Sequence, residues 1–429
     1  MQQKTLLQAT MLIMLQCLAH SPWAQADPWV ERRRAQYHDE YSYFVYPITT
    51  RIAGFGTAYG GGATLVNVAG TDIDLTGFYV DGDFKAGGLT ALNIHLIPRT
   101  LIFDTGLYNY RVNVQQFNRG MDSDPNDYVL PEVDGHGAIG QLTLTLFDKE
   151  LEFYTRYSMR NQRLLSVRDV NNHDFSNIDK STKNLDSLTL GVLLDLTDDR
   201  QDPRRGLRFE MTRWQHLNQV DPLYSTYHVY DANLTWYLPI GHRNTLVFNY
   251  YRSKAVVDET GSTNFSELQN AIGLNCGSIA DSPARTNCET TETQFINEVI
   301  ASNTYGNASP LGGTQRLRSF VNGRFRAGQT VFYGVEYRWN LTDENTPVDW
   351  FILKGRRTNF QVAFFAEAGA VADHSNELNS KLKYSYGTGF RMLFEGVTIR
   401  ADVARGSEGS EVQVFLDYPW SLFSVDRPN

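Results

Sequence analysis

The chain has 429 residues, a formal net charge of −9, 13 % aromatic residues and a mean hydropathy of −0.37. An acidic balance argues against a nucleic-acid partner. Beyond the first residues no window offers the ~20 consecutive apolar residues of a spanning helix.

The amino terminus reads as a secretory signal over 1–26. Lys4 is the only charge before Asp27, Leu6 to Leu18 is mostly apolar, Pro22 interrupts the run, and Ala24-Gln25-Ala26 is a small-x-small cleavage site. Cys17 follows Gln16 where lipid attachment needs a small residue, so no lipoprotein is expected. Residues 27–48 form a short charged lead-in containing Glu31, Arg32, Arg33 and Arg34. Trp29, Val30, Arg33 and Tyr37 would share one face of a helix, and a helix and an irregular segment both stay open there.

Alternation dominates the rest. In Val331 to Asn340, apolar or aromatic residues at 331, 333, 335, 337 and 339 interleave with Glu336, Arg338 and Asn340. A strand sends successive side chains to opposite faces. A greasy aromatic face opposite a fully charged one suits a membrane barrel, with lipid outside and a polar lumen inside. Sixteen such segments are predicted, near 52–66, 71–83, 88–97, 99–111, 135–147, 150–161, 184–196, 206–216, 224–238, 243–255, 294–304, 330–341, 358–372, 382–394, 396–406 and 411–420. Short links alternate with long ones through 112–134, 162–183, 256–293 and 305–329, as between the periplasmic and external ends of an outer-membrane barrel. The 23 Tyr and 24 Phe suit its interfacial girdles. The expected class is all-β, a transmembrane antiparallel barrel over 49–423 with a tail at 424–429. A large soluble all-β protein is the alternative.

Cys276 and Cys288 flank a polar, turn-rich stretch and are disulfide candidates in an oxidising compartment. Asp122, Asp124, Asn126 and Asp127 lack the glycine and the bidentate glutamate of a calcium loop and read as a polar surface loop. The mature histidines show no metal spacing and no Gly-x-Ser-x-Gly occurs, so neither an enzyme nor a cofactor is expected.

Five patterns, in order, resemble the barrel of the BamA/TamA superfamily of outer-membrane assembly and secretion proteins. They are Asp198-Asp199-Arg200-Gln201-Asp202-Pro203 with Gly206; Leu311-Gly312-Gly313-Thr314-Gln315-Arg316-Leu317-Arg318-Ser319-Phe320; Glu336-Tyr337-Arg338; Phe365-Ala366-Glu367-Ala368-Gly369; and Gly387-Thr388-Gly389-Phe390-Arg391, followed by Arg400-Ala401-Asp402. In the second, Gly312, Gly313, Arg318 and Phe320 match the motif of the family's sixth external loop, while Ser319 stands where the family has glycine.

The resemblance implies that the loop between strands eleven and twelve folds into the lumen and that Arg318 pairs with an acid on the wall. Glu367 is the first candidate partner and Glu336 the second. A guanidinium fork matches a carboxylate, so the pair would latch the loop. Alternation places Glu336, Arg338, Glu367, Gly387, Gly389, Arg391, Arg400 and Asp402 toward the lumen. Periplasmic POTRA domains, which the best-known members carry, do not fit between Asp27 and the first predicted strand.

The implied function is insertion or translocation of proteins or other clients at the bacterial outer membrane. The expected partners are outer-membrane lipid and lipopolysaccharide, with an unfolded client or a separate periplasmic module. The first strand, 52–66, would close weakly on 411–420, with Gly60, Gly61 and Gly62 lowering its cohesion. A passive diffusion channel, a translocator for a separately encoded passenger and an outer-membrane hydrolase are the alternatives.

Overall fold

The computed structural model describes residues 41–420 except 171, 173, 176–178, 201, 218–220, 242, 343–347, 357, 395 and 396. The signal read at 1–26, the lead-in up to residue 40 and the tail read at 424–429 lie outside the described residues.

Sixteen strands form one closed antiparallel wall. They are β1 (Ser42–Ile52), β2 (Gly56–Val66), β3 (Asp74–Gly82), β4 (Lys85–Ile97), β5 (Leu101–Asn113), β6 (Tyr128–Leu146), β7 (Leu151–Arg168), β8 (Ser187–Thr197), β9 (Gly206–His216), β10 (Thr226–Ile240), β11 (Asn244–Glu259), β12 (Gln329–Asn340), β13 (Thr358–Ala372), β14 (Lys383–Phe394), β15 (Val397–Gly406) and β16 (Gly409–Leu416). Each pairs with its neighbour in sequence, so every interior strand is hydrogen-bonded on both edges, as a membrane requires. Short strand pieces at Gln116–Phe117, Thr182–Asn184, Val348–Trp350 and Leu353–Arg356 lie outside this series. No helix among the described residues is long and apolar enough to cross a membrane; a barrel crosses with strands.

The alternation sorts side chains as the sequence predicts. On β12, Tyr333 and Trp339 are exposed while Glu336, Arg338 and Asn340 are buried. Tyr59, Phe153, Trp236, Tyr250, Phe364, Tyr386 and Phe390 also point outward.

The predicted strand count is sixteen, but two members differ. The wall starts at Ser42, inside the segment read as a lead-in, because Phe44, Tyr46 and Ile48 alternate inward while Val45, Pro47 and Thr49 face out. The predicted strand 294–304 is instead part of a helix. Two helices, α1 (Phe265–Ile272) and α2 (Ser282–Tyr305), occupy the connection between β11 and β12. In α2, Asp281 caps the amino end by accepting from the Ala284 N–H, a proline sits in the first turn, and Gly306 closes the helix at φ 68°. Cys288, Glu292, Ile296 and Asn303 recur on its buried face at helical spacing. The last strand is also shorter than predicted. It ends at Leu416, and the chain turns inward through Asp417 (φ 116°) and Trp420 (φ 70°).

Candidate functional site

The connection from β11 to β12 descends into the barrel as a hairpin. Its limbs are joined by the Leu311–Phe325 bridge and by the Ala308 N–H donating to the Ala327 carbonyl (2.9 Å). The Gly312 and Gly313 N–H groups donate to the Arg316 and Phe320 carbonyls (3.1 and 2.9 Å), folding the tip. Both glycines have φ of 104°, and a Cβ on Gly312 would strike the Val321 carbonyl oxygen, so this turn needs glycine. Ser319, which stands where the motif it resembles has glycine, does not adopt a positive φ; Leu317 does, at 53°. The Ser319 N–H donates to Ser385 Oγ (3.0 Å) on β14. Serine is therefore tolerated because the left-handed residue of this tip lies two positions earlier. Leu311, Leu317, Phe320 and Phe325 pack on Tyr251, Val331, Phe332 and Val371 of the wall, with Phe320 edge-on to Phe325 at 5.0 Å.

At the tip, Arg318 is fully buried and binds three carboxylates. Its Nε–H donates to Glu367 Oε1 (2.8 Å) and its backbone N–H to Oε2 (2.9 Å). Nη1 donates to Asp402 Oδ2 (2.8 Å) and Nη2 to Glu336 Oε2 (3.1 Å). The guanidinium lies 3.3 Å above the Phe365 ring. Burial alone would lower the Arg318 pKa, but Glu367, Asp402 and Glu336 outweigh it and raise the pKa, so the group stays cationic.

The remaining candidates support this contact from the wall. Arg391 donates twice to Glu336 (2.7 and 2.6 Å), and Arg338 Nε donates to it at 2.8 Å. Arg338 does not reach the loop; it stacks on Tyr418 at 4.5 Å. Arg400 binds Asp402 at 2.7 Å. A Cβ on Gly387 would lie 2.6 Å from the Phe365 ring, and one on Gly389 would meet the Asp402 carboxylate. Gly387 thus lets Phe365 lie flat beneath Arg318. Sequence reasoning placed Asp402 in the lumen but not on Arg318, since which strand's acid faces the loop tip depends on barrel closure.

Two further contacts carried no sequence signal. The Trp420 indole N–H donates to Glu367 Oε1 (3.0 Å), and its carbonyl accepts from Asn233 Nδ2 (2.8 Å) on β10. Tyr418 donates to Asp202 (2.7 Å) in the β8–β9 turn, where Asp198 Oδ1 accepts the Arg204 and Arg205 N–H groups. The segment after β16 therefore crosses the lumen beneath the loop. Above it, Arg119 clamps Asp373 and the Gly306 carbonyl, and Arg326 binds Glu298 of α2. Cys276 and Cys288 form a disulfide that ties the start of α2 to the preceding turn. Together with Phe175 they form a small apolar cluster, against which Val129 and Val167 also pack.

The seam between the first and last strands is thin. β1 pairs with β2 at eleven positions, from Ser42↔Val66 to Ile52↔Gly56. It meets β16 at Arg51↔Val414 alone, with Thr50 Oγ1 donating to the Val414 carbonyl (2.9 Å). Gly60, Gly61 and Gly62 are not at this seam; they lie on β2, paired to β1 and β3. The inserted loop touches both sides of it from within. Gln413 Nε2 donates to the Arg318 carbonyl (2.7 Å), and the Asn322 N–H donates to the Ala53 carbonyl (3.0 Å) beyond β1.

No protein-family model and no curated protein matches the sequence. Among solved structures, CdiB from Escherichia coli is similar at a TM-score of 0.52 and 8 % identity, over 88 % of this chain and 62 % of that one. BamA from Haemophilus ducreyi lacking POTRA domains 1–3 gives 0.48 at 12 % identity, over 87 % of this chain and 68 % of that one. OccD3 from Pseudomonas aeruginosa gives 0.34 at 10 %, over 88 % and 89 %. The chain therefore spans less than two-thirds of the CdiB chain it resembles. At these identities the likeness is one of fold alone, a closed antiparallel β-barrel.

Proposed function

We propose that this chain is an outer-membrane barrel that inserts or translocates polypeptide by opening the β1–β16 seam, acting after removal of its signal segment. The observation that carries this reading is the seam itself, held by one ladder position where β1 and β2 share eleven. An unpaired strand edge templates pairing with another chain. The lumen contents favour the same reading over passive diffusion. The inserted loop and the segment ending at Trp420 occupy the space through which solute would pass. An unfolded client, or a separate periplasmic module that delivers it, is the partner this edge suits.

The test is a reversible lock. Across the seam, Arg51 is the residue opposite Val414. Directly opposed antiparallel residues have Cα atoms about 4.5–5.5 Å apart, within disulfide reach. Arg51→Cys with Val414→Cys should fold normally, lose client insertion or export when oxidised, and regain it on reduction. Full client processing by the oxidised barrel would reject the lateral route.

A further inference from the structure

The edge that β16 leaves open is not bare along its lower half. At the register set by Arg51↔Val414, Leu416 comes opposite Thr49, and the inward turn after Leu416 leaves Ser42–Ile48 without a β16 residue across from them. A different element sits there. The β12–β13 connection carries a small hairpin, Val348–Trp350 paired with Leu353–Arg356. Its second arm pairs antiparallel with β1, Tyr43↔Lys354 and Phe44↔Leu353, and the Val45 N–H donates to the Ile352 carbonyl (2.9 Å).

By sequence this hairpin belongs to β12 and β13. In the wall, β14, β15 and β16 separate β13 from β1. At ~4.8 Å per strand the hairpin reaches on the order of 19 Å sideways, although joining β12 to β13 needs only a tight turn. Ile352 packs with the apolar cluster of Phe44, Tyr46 and Ile48, where Phe394 also lies against Phe44 with ring centres 4.5 Å apart.

The chemistry of the edge divides it in two. The Val45 N–H points to the hairpin, so the period of a strand aims positions 47, 49 and 51 the same way. Position 47 is proline and has no N–H to give. Below it the hairpin holds the edge, and above it β16 does.

We propose that the hairpin 348–356 is a resident strand on the β1 edge, which an incoming extended polypeptide must displace to pair there. This rests on the reading of the β1 edge as the docking strip for clients. The hairpin holds by two register positions, one further backbone bond and one apolar side chain, so a longer strand with matching alternation replaces it. The device keeps the edge from pairing with arbitrary chains while leaving it available to a client.

The experiment uses the full chain in detergent. Tyr43→Cys with Lys354→Cys locks the hairpin on oxidation. The probe is a synthetic peptide of the sequence Gly409–Leu416 carrying a photoreactive group. The reduced protein should crosslink the peptide on β1, and oxidation should lower the yield at least fivefold, with heat-modifiable mobility unchanged. Ile352→Asp, which removes the apolar anchor, should raise the yield without any lock and covers the case in which the cysteine pair misfolds. Equal labelling in both redox states, no labelling in either, or failure of the two cysteines to join in a folded barrel each overturns the proposal. A locked protein that loses peptide labelling yet still processes clients upholds this contact and rejects the lateral function instead.

Discussion

Arg318→Ala removes one cation shared by three carboxylates, and the loss falls unevenly. Glu336 keeps Arg338 and Arg391, and Asp402 keeps Arg400. Glu367 keeps the Trp420 indole and the backbone N–H of residue 318, two neutral donors, but loses its ion-paired cation, so the uncompensated buried charge sits on Glu367. Breaking a buried pair in this way costs about 3–5 kcal/mol, read as a lower unfolding midpoint in urea with faster proteolysis of residues 306–328. Glu367→Gln keeps the shape and the other two acids, so its cost is smaller, about 1.5–3 kcal/mol. The double variant should be more stable than the sum of the two losses predicts; strict additivity would show that the groups act independently. Gly387→Val acts through packing, since its side chain would enter the space of the Phe365 ring and the Val403 carbonyl. A loss of about 1–3 kcal/mol is expected, and it should shrink when Phe365 is also replaced by alanine.

At the scale of elements, the external cap separates from the wall. The disulfide joins Cys276 and Cys288 across a sequence separation of 12, a closure worth on the order of 2–4 kcal/mol to the segment. Cys288→Ser should therefore raise amide exchange across α1 and the start of α2 while the barrel strands stay protected and heat-modifiable. Exchange rising equally throughout the wall would show that the cap is needed for barrel integrity. The strand predicted at 294–304 failed at this scale. Phe295, Ile296, Val299 and Ile300 fall at i, i+1, i+4 and i+5, a helical spacing that the strand reading passed over. The cap at Asp281 and the glycine at 306 were the signals that favour a helix. Strand β1 was missed because its first residues were read into the charged lead-in 27–48; its Pro47 sits on the edge of the seam, where the missing donor costs no ladder bond.

For the molecule as a whole, the filled lumen decides between a gate and a pore. The intact protein in planar bilayers should show little steady conductance. Replacing residues 307–327 with a flexible glycine-serine linker should raise it several-fold, because that segment occupies the lumen core. Large conductance in the intact chain would favour the passive channel. If the Arg51–Val414 lock stops client transfer but leaves the conductance of the linker variant unchanged, seam and lumen are separate routes.

The sequence by itself determined the two faces of the wall and the contents of each, because alternation is a property of neighbouring residues. It also placed Arg318 on an inserted loop, through its likeness to a known motif, and Glu336, Glu367 and Asp402 on the inner face, through alternation. What meets what was decided only by closure of the barrel. Arg318 reaches Glu367 and Asp402 across separations of 49 and 84 residues, distances in the chain at which no local period carries information. The same holds for Trp420 on Glu367 and for the hairpin on β1. These contacts depend on how far each strand is staggered against the next and on where the last strand stops. Those are sums over the whole wall, and no single segment contains them.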